Sequence, residues 1–120
     1  MDSGDPRIGW AIAHIEDTLQ QPLRINEMAQ AVNLSASRFT RLFRAATGLS
    51  PARYIQIRRL ERAKVLIERT FLTIKEVMGK VGYNDPSHFT RDFSREYGVS
   101  PSRLRASHPR VQTADMEPGG

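Results

Sequence analysis

Residues 37–43 read SRFTRLF, and residues 87–93 read SHFTRDF. With residue 37 laid on residue 87, Ser37, Phe39, Thr40, Arg41 and Phe43 meet Ser87, Phe89, Thr90, Arg91 and Phe93. The match continues downstream, where Gly48, Ser50, Pro51 and Arg53 meet Gly98, Ser100, Pro101 and Arg103. Upstream it needs a shift of one residue: Ile25, Glu27, Val32 and Leu34 meet Ile74, Glu76, Val81 and Tyr83. The chain is thus internally duplicated, and the second copy has one extra residue in the turn before its repeated phrase. Two copies are too few for a solenoid.

That turn holds Asn33 in the first copy and Gly82 in the second. Asn and Gly most readily take positive φ, as a left-handed stop after a helix requires. Each copy therefore reads as a short helix, a left-handed stop, a tight turn and a second helix, the outline of a helix-turn-helix. On a helical wheel, Phe39, Leu42, Phe43 and Ala46 form an inner stripe in the first copy, while Ser37, Thr40, Arg41 and Arg44 share another face. The second copy repeats this with Phe89, Phe93 and Tyr97 inside and Ser87, Thr90, Arg91 and Ser94 outside. Asp92 stands where the first copy has Leu42, so the second inner stripe is weaker. A polar helix face is ordinarily just a solvated one. The same Thr-Arg pair at the same wheel position in both copies points instead to a reader of the DNA major groove. There Arg pairs with guanine, and Ser or Thr bonds a base edge or a phosphate.

Outward from the repeats the apolar period is helical, and no stretch alternates as a strand does. A first helix opens on Asp5 as N-cap and Pro6, and runs to about Leu19. Trp10, Ile12, Ile15 and Leu19 are its expected inner face. The GLSP and GVSP stretches (48–51, 98–101) are stop-and-restart signals: Gly ends one helix, Ser caps the next and Pro opens it. Thr73 and Glu76 spell a capping box. Asp85-Pro86 is another cap-and-start pair. The expected fold is all-α with about seven helices, two helix-turn-helix subdomains being joined by a long linker helix. The divisions are a tail at 1–7, a first helix-turn-helix subdomain at 8–49, a linker helix at 50–70, a second subdomain at 71–107, and a tail at 108–120. The last segment mixes Pro, Gly and acidic residues without period and is expected to be disordered.

The linker, about nineteen residues, spans roughly 28 Å as a helix. Two recognition helices on one face of DNA must reach major grooves about 34–36 Å apart. A chain that carries both readers on such a linker has the scale to read two successive grooves by itself. Leu60, Ala63, Leu66 and Ile67 form an apolar seam for packing on both subdomains. Arg58, Arg59, Arg62 and Lys64 face outward or pair with Glu61 and Glu68.

Composition agrees. The chain has 18 Lys and Arg against 13 Asp and Glu, a net charge of +5, and most of the cations are arginine. That suits a polyanion, because the guanidinium fork grips phosphates and guanine edges in pairs. With no cysteine, disulfides, thiol catalysis and thiolate metal sites are excluded, which fits a reducing cytoplasm. No apolar run is long enough for a membrane span. His14, His88 and His108 are scattered, and no carboxylate pair, nucleophile–base pair or phosphate loop is present, so neither an enzyme nor a metal or cofactor site is indicated.

Three further stretches, R-L-x-x-A-x-x-L-I (59–67), G-Y-x-D-x-S-x-F-x-R-x-F (82–93) and G-V-S-P-S-R-L-R (98–105), resemble the AraC/XylS family of bacterial transcription regulators. The resemblance covers about residues 8–106. It implies monomeric binding to an asymmetric double-stranded DNA site, one recognition helix per subdomain entering adjacent major grooves. It also implies a regulator, usually an activator that touches RNA polymerase. Carried over by position, the base-contacting residues are Ser37, Thr40 and Arg41 in the first subdomain and Ser87, His88, Thr90 and Arg91 in the second. Ser35, Arg44, Arg53, Arg95 and Arg103 are candidates for phosphate contact, from their charge and their places at helix ends.

The sequence departs from the family at Met78, where Ala is usual and where the first copy has Ala29; the larger side chain must be absorbed by packing. It departs at Arg24, which leaves the first copy's leading helix without a good N-cap, and at Tyr83, where Phe is commoner. Many members carry a sensory domain ahead of this module, so the chain reads either as a short stand-alone member or as the DNA-binding end of a longer regulator. Two rival readings are a non-specific nucleic-acid-packaging protein and a helical protein-interaction module.

Overall fold

The computed structural model describes residues 4–107. The expected disorder of 108–120, and His108 with it, lies outside the described residues. Among those described, the chain forms seven helices and no strand: α1 (Pro6–Asp17), α2 (Ile25–Ala31), α3 (Ala36–Thr47), α4 (Pro51–Arg69), α5 (Ile74–Lys80), α6 (Pro86–Tyr97) and α7 (Pro101–Ala106). Contacts divide the chain into two units, one ending at Arg58 and the other beginning at Arg59, so the division falls inside α4.

Every helix except α2 starts where a side chain accepts from the first unpaired backbone N–H groups. Ser35 accepts from the Arg38 N–H at 3.1 Å and opens α3. Ser50 and Ser100 do the same for α4 and α7, each at 3.2 Å from the N–H three residues on. Asp85 takes the N–H groups of Ser87 at 2.9 Å and His88 at 3.3 Å, ahead of Pro86. The capping box of α5 is complete: Thr73 accepts from the Glu76 N–H at 3.0 Å, and the Glu76 carboxylate accepts from the Thr73 N–H at 2.8 Å. Arg24 offers α2 no side-chain cap. Gly48 and Gly98 end α3 and α6 at φ 81° and 74°, and Asn33 and Gly82 follow α2 and α5 at φ 61° and 91°. The two turns thus use the left-handed stops that their residue types suggest.

The first unit closes on Ile8, Ala11 and Ile15 of α1, Met28 and Ala29 of α2, and Phe39 and Phe43 of α3, with Ile55 from α4. The second closes on Leu60, Ala63 and Ile67 of α4, Val77 and Met78 of α5, and Phe89 and Phe93 of α6. The duplicated phenylalanines are at most 1% exposed. Each contributes about 2–3 kcal/mol of burial. They fix the rotation of α3 and α6, and so decide which face of each helix remains outside. Met78 is 9% exposed, and its flexible thioether fits within the second core.

Some expectations change. Trp10 is 43% exposed and stacks on His14, with ring centroids 5.0 Å apart and planes 7° from parallel. The inner face of α1 is set instead by Ile8, Ala11 and Ile15, with Leu19 beyond the helix end also buried. Ala46 is exposed in the last turn of α3. Leu60, Ala63, Leu66 and Ile67 all belong to the second core, and the first takes Ile55 and Tyr54 from α4. Arg58 reaches beyond its own helix, to Glu16 of α1.

Candidate nucleic-acid interface

On α3, burial of Phe39 and Phe43 leaves Ser37, Arg41 and Arg44 exposed on the opposite side, with Thr40 half-buried at its edge. Among the described residues, no carboxylate pairs with Arg41 or Arg44. The helix has three arginines, Arg38, Arg41 and Arg44, and no acidic residue. The Ser35 oxygen already accepts from the Arg38 backbone, and its hydroxyl hydrogen remains to donate to an anion.

On α6 the same logic exposes Ser87, His88, Thr90, Arg91 and Arg95. Here the surroundings differ. Asp85 at the N-cap lies 3.6 Å from His88 Nδ1. Backbone donation from His88, then from Ser87, with the charges of His88 and Arg91, holds the Asp85 carboxyl below the ordinary carboxylate value. Asp92 is 10% exposed, and one of its oxygens accepts from Arg91 Nε at 3.1 Å. Its other oxygen accepts from the Tyr83 hydroxyl at 2.9 Å. The weak point expected in the inner stripe is therefore a polar link from the turn to the exposed face that carries Arg91. Both residues stood out in the sequence, Asp92 as a broken stripe and Tyr83 as a hydroxyl where Phe is commoner, but only the fold brings them together.

The remaining phosphate candidates lie at helix ends. Arg53 stands exposed in the first turn of α4 and bonds the Gln56 side chain through Nη1. Arg103 is exposed on α7. Other cations have structural partners. Arg58 binds Glu16, Lys64 binds Glu68 at 2.8 Å, and Arg105 Nε donates to the Ile67 carbonyl at 3.0 Å near the end of α4. Arg59 is half-buried, and burial pulls its guanidinium below the ordinary arginine value. Arg105 ends the G-V-S-P-S-R-L-R stretch, and spacing alone does not tell a cation that closes a helix end from a surface one.

Among the described residues no cluster of His, Asp or Glu could hold a metal ion. Among the described residues no helix is long and apolar enough to cross a membrane.

Comparison with known proteins gives the same arrangement. The family described as "Helix-turn-helix domain" matches residues 28–107. The HTH-type transcriptional regulator MtrA of Neisseria gonorrhoeae is 33% identical over 101 residues, covering 84% of this chain and 34% of MtrA. A transcriptional regulator of the AraC-type DNA-binding-domain proteins from Chromobacterium violaceum superposes with a TM-score of 0.76 at 26% identity, covering 86% of this chain and 92% of that one. The DNA-binding domain of the global transcriptional factor AdpA, solved with a target DNA, superposes with a TM-score of 0.80 at 27% identity, covering 84% and 91%. The chain spans about a third of the length of the curated relatives it matches, 29%, 34% and 32% for the first three. With the family matched over both duplicated units, the chain belongs to the AraC-type helix-turn-helix DNA-binding domains, a non-enzymatic family.

Proposed function

We propose that this chain is a sequence-specific DNA-binding transcription regulator that reads an asymmetric duplex site, with α3 in one major groove and α6 in the next. The observation that carries the reading is the repeated face: Ser37, Thr40 and Arg41 on α3, and Ser87, Thr90 and Arg91 on α6, each set opposite two buried phenylalanines. Short hydroxyls let the backbone approach the base edges. An arginine one turn along reaches guanine O6 and N7 in a bidentate contact. His88 supplements the second face. Ser35, Arg44, Arg53, Arg95 and Arg103 hold phosphates and fix the register.

The chain binds as a monomer, since both reading helices are supplied in cis, and the wider fold class ordinarily obtains two readers by dimerising. It acts as an activator through contact with RNA polymerase, which transcription in vitro from a bound promoter would show as a rise in transcript.

The direct test is Arg41→Ala in a gel-shift series. Specific binding should weaken by about 1–3 kcal/mol, with preference relaxed in one half of the site only. Arg91→Ala should do the same in the other half. Equal loss on specific and random duplexes would reduce Arg41 to a phosphate contact, and steep salt dependence with no preference in the wild type would favour a packaging protein.

A further inference from the structure

The two reading arginines are held differently. Arg41 on α3 follows a face with no acidic residue, and its neighbour Leu42 packs against the first core. Arg91 on α6 is followed by Asp92, whose carboxylate sits between two donors, Arg91 Nε at 3.1 Å and the Tyr83 hydroxyl at 2.9 Å. The Asp92 side chain is 10% exposed, against 54% for Arg91. The carboxylate is thus the buried end of the link and the guanidinium its exposed end.

We propose that Tyr83 and Asp92 are positioning residues that set the orientation of Arg91 and thereby sharpen base selection by the second unit. The proposal rests on Arg91 being a base reader. An arginine side chain has several rotatable bonds, and an unheld one must be ordered when it meets DNA. A charge-assisted hydrogen bond to Nε fixes the plane of the guanidinium and leaves both terminal nitrogens for a bidentate contact with guanine. The carboxylate is itself oriented by Tyr83, which packs on Phe89 with ring centroids 5.2 Å apart, so the link is anchored in the turn and the core of the second unit. Asp92 also repels phosphate. It therefore trades general affinity for selectivity, and Leu42 makes no such trade.

The test compares wild type with Asp92→Leu, Asp92→Asn and Tyr83→Phe on a duplex selected from a random pool by the wild type. The quantity read is the ratio of its affinity to that for duplexes changed at the base pair whose preference Arg91→Ala erases. Asp92→Leu, which installs the first unit's residue, should reduce that ratio about tenfold. Binding to random DNA should stay equal or rise, and preference in the α3 half should be unchanged. Asp92→Asn keeps an acceptor and should restore part of the ratio. Tyr83→Phe should fall between Asp92→Asn and wild type. In an Arg91→Ala background, Asp92→Leu should cause no further loss of preference.

Unchanged preference in Asp92→Leu overturns the proposal while leaving the reading role of Arg91 intact. A uniform loss on all duplexes, matched by a lower melting temperature, also overturns it and makes the link purely structural. If the wild type selects no sequence, the DNA-reading role itself fails, and the proposal with it.

Discussion

Arg58 of α4 grips Glu16 of α1 with two prongs, its Nε and Nη2 each 2.7 Å from a different carboxylate oxygen. The Tyr54 hydroxyl donates to the same carboxylate at 3.3 Å. Both side chains are about a third exposed, 33% and 30%, so solvent screens the pair in part. A bidentate, partly sheltered pair that joins two helices exceeds an ordinary surface ion pair. Glu16→Ala should cost about 1–2 kcal/mol of unfolding free energy. A double-mutant cycle with Arg58→Ala in urea denaturation checks it; additive losses would show that the two residues do not couple.

The leading helices of the two units differ at their starts. α5 has a complete capping box from Thr73 and Glu76, and α2 starts at Arg24 with no side-chain cap. Thr73→Ala should destabilise by about 1 kcal/mol, and Arg24→Ser should stabilise by about 0.5–1 kcal/mol. Thermal unfolding of the two variants would show opposite shifts in Tm. A loss with Arg24→Ser would mean that the Arg24–Glu27 pair, 3.8 Å apart and exposed, matters more than the cap.

Arg44 and Arg41 share one face of α3 but are assigned different partners. Arg44→Gln should lower the slope of log affinity against log salt by about 0.9 on specific and random duplexes alike, as one phosphate contact predicts. Arg41→Ala should instead act on the specific duplex. Titrations at several salt concentrations separate the two, and a sequence-dependent effect at Arg44 would exchange their roles.

Asp85 gives α6 a pH dependence. Its folded carboxyl titrates below the ordinary 3.8, because it accepts from the His88 and Ser87 backbone and faces the charges of His88 and Arg91. Between the folded and unfolded values the unfolded chain binds more protons, so stability falls as pH falls through that window. The excess Tm of wild type over Asp85→Asn should be constant at neutral pH and shrink as pH drops below about 4. A difference that grows in acid would contradict the assigned sign.

Much of this fold is legible in the sequence, for local reasons. Asp85-Pro86, Thr73 with Glu76, and the Gly-Leu-Ser-Pro and Gly-Val-Ser-Pro stretches act through backbone groups within a few residues, and the helix ends fall where they predict. The alternation of Phe39 and Phe43 with Thr40 and Arg41 likewise needs only the helical period. Features that depend on two distant elements are harder to read. Trp10 looks like a core residue by size, and only the register of Ile8, Ala11 and Ile15 turns it outward. Arg58 reaches Glu16 on another helix, a partner that helical spacing within α4 does not suggest. Asp92 looks like a defect until Tyr83, nine residues back, is folded against it. Base and phosphate contacts depend on the partner, and no chain pattern alone can assign them.

The most direct measurement of the central claim is selection of bound duplexes from a random pool by the wild-type protein, followed by sequencing. The expected result is an asymmetric site with two conserved elements about ten base pairs apart, one lost in Arg41→Ala and the other in Arg91→Ala. Recovery of no preferred sequence, or of a palindrome, would contradict it.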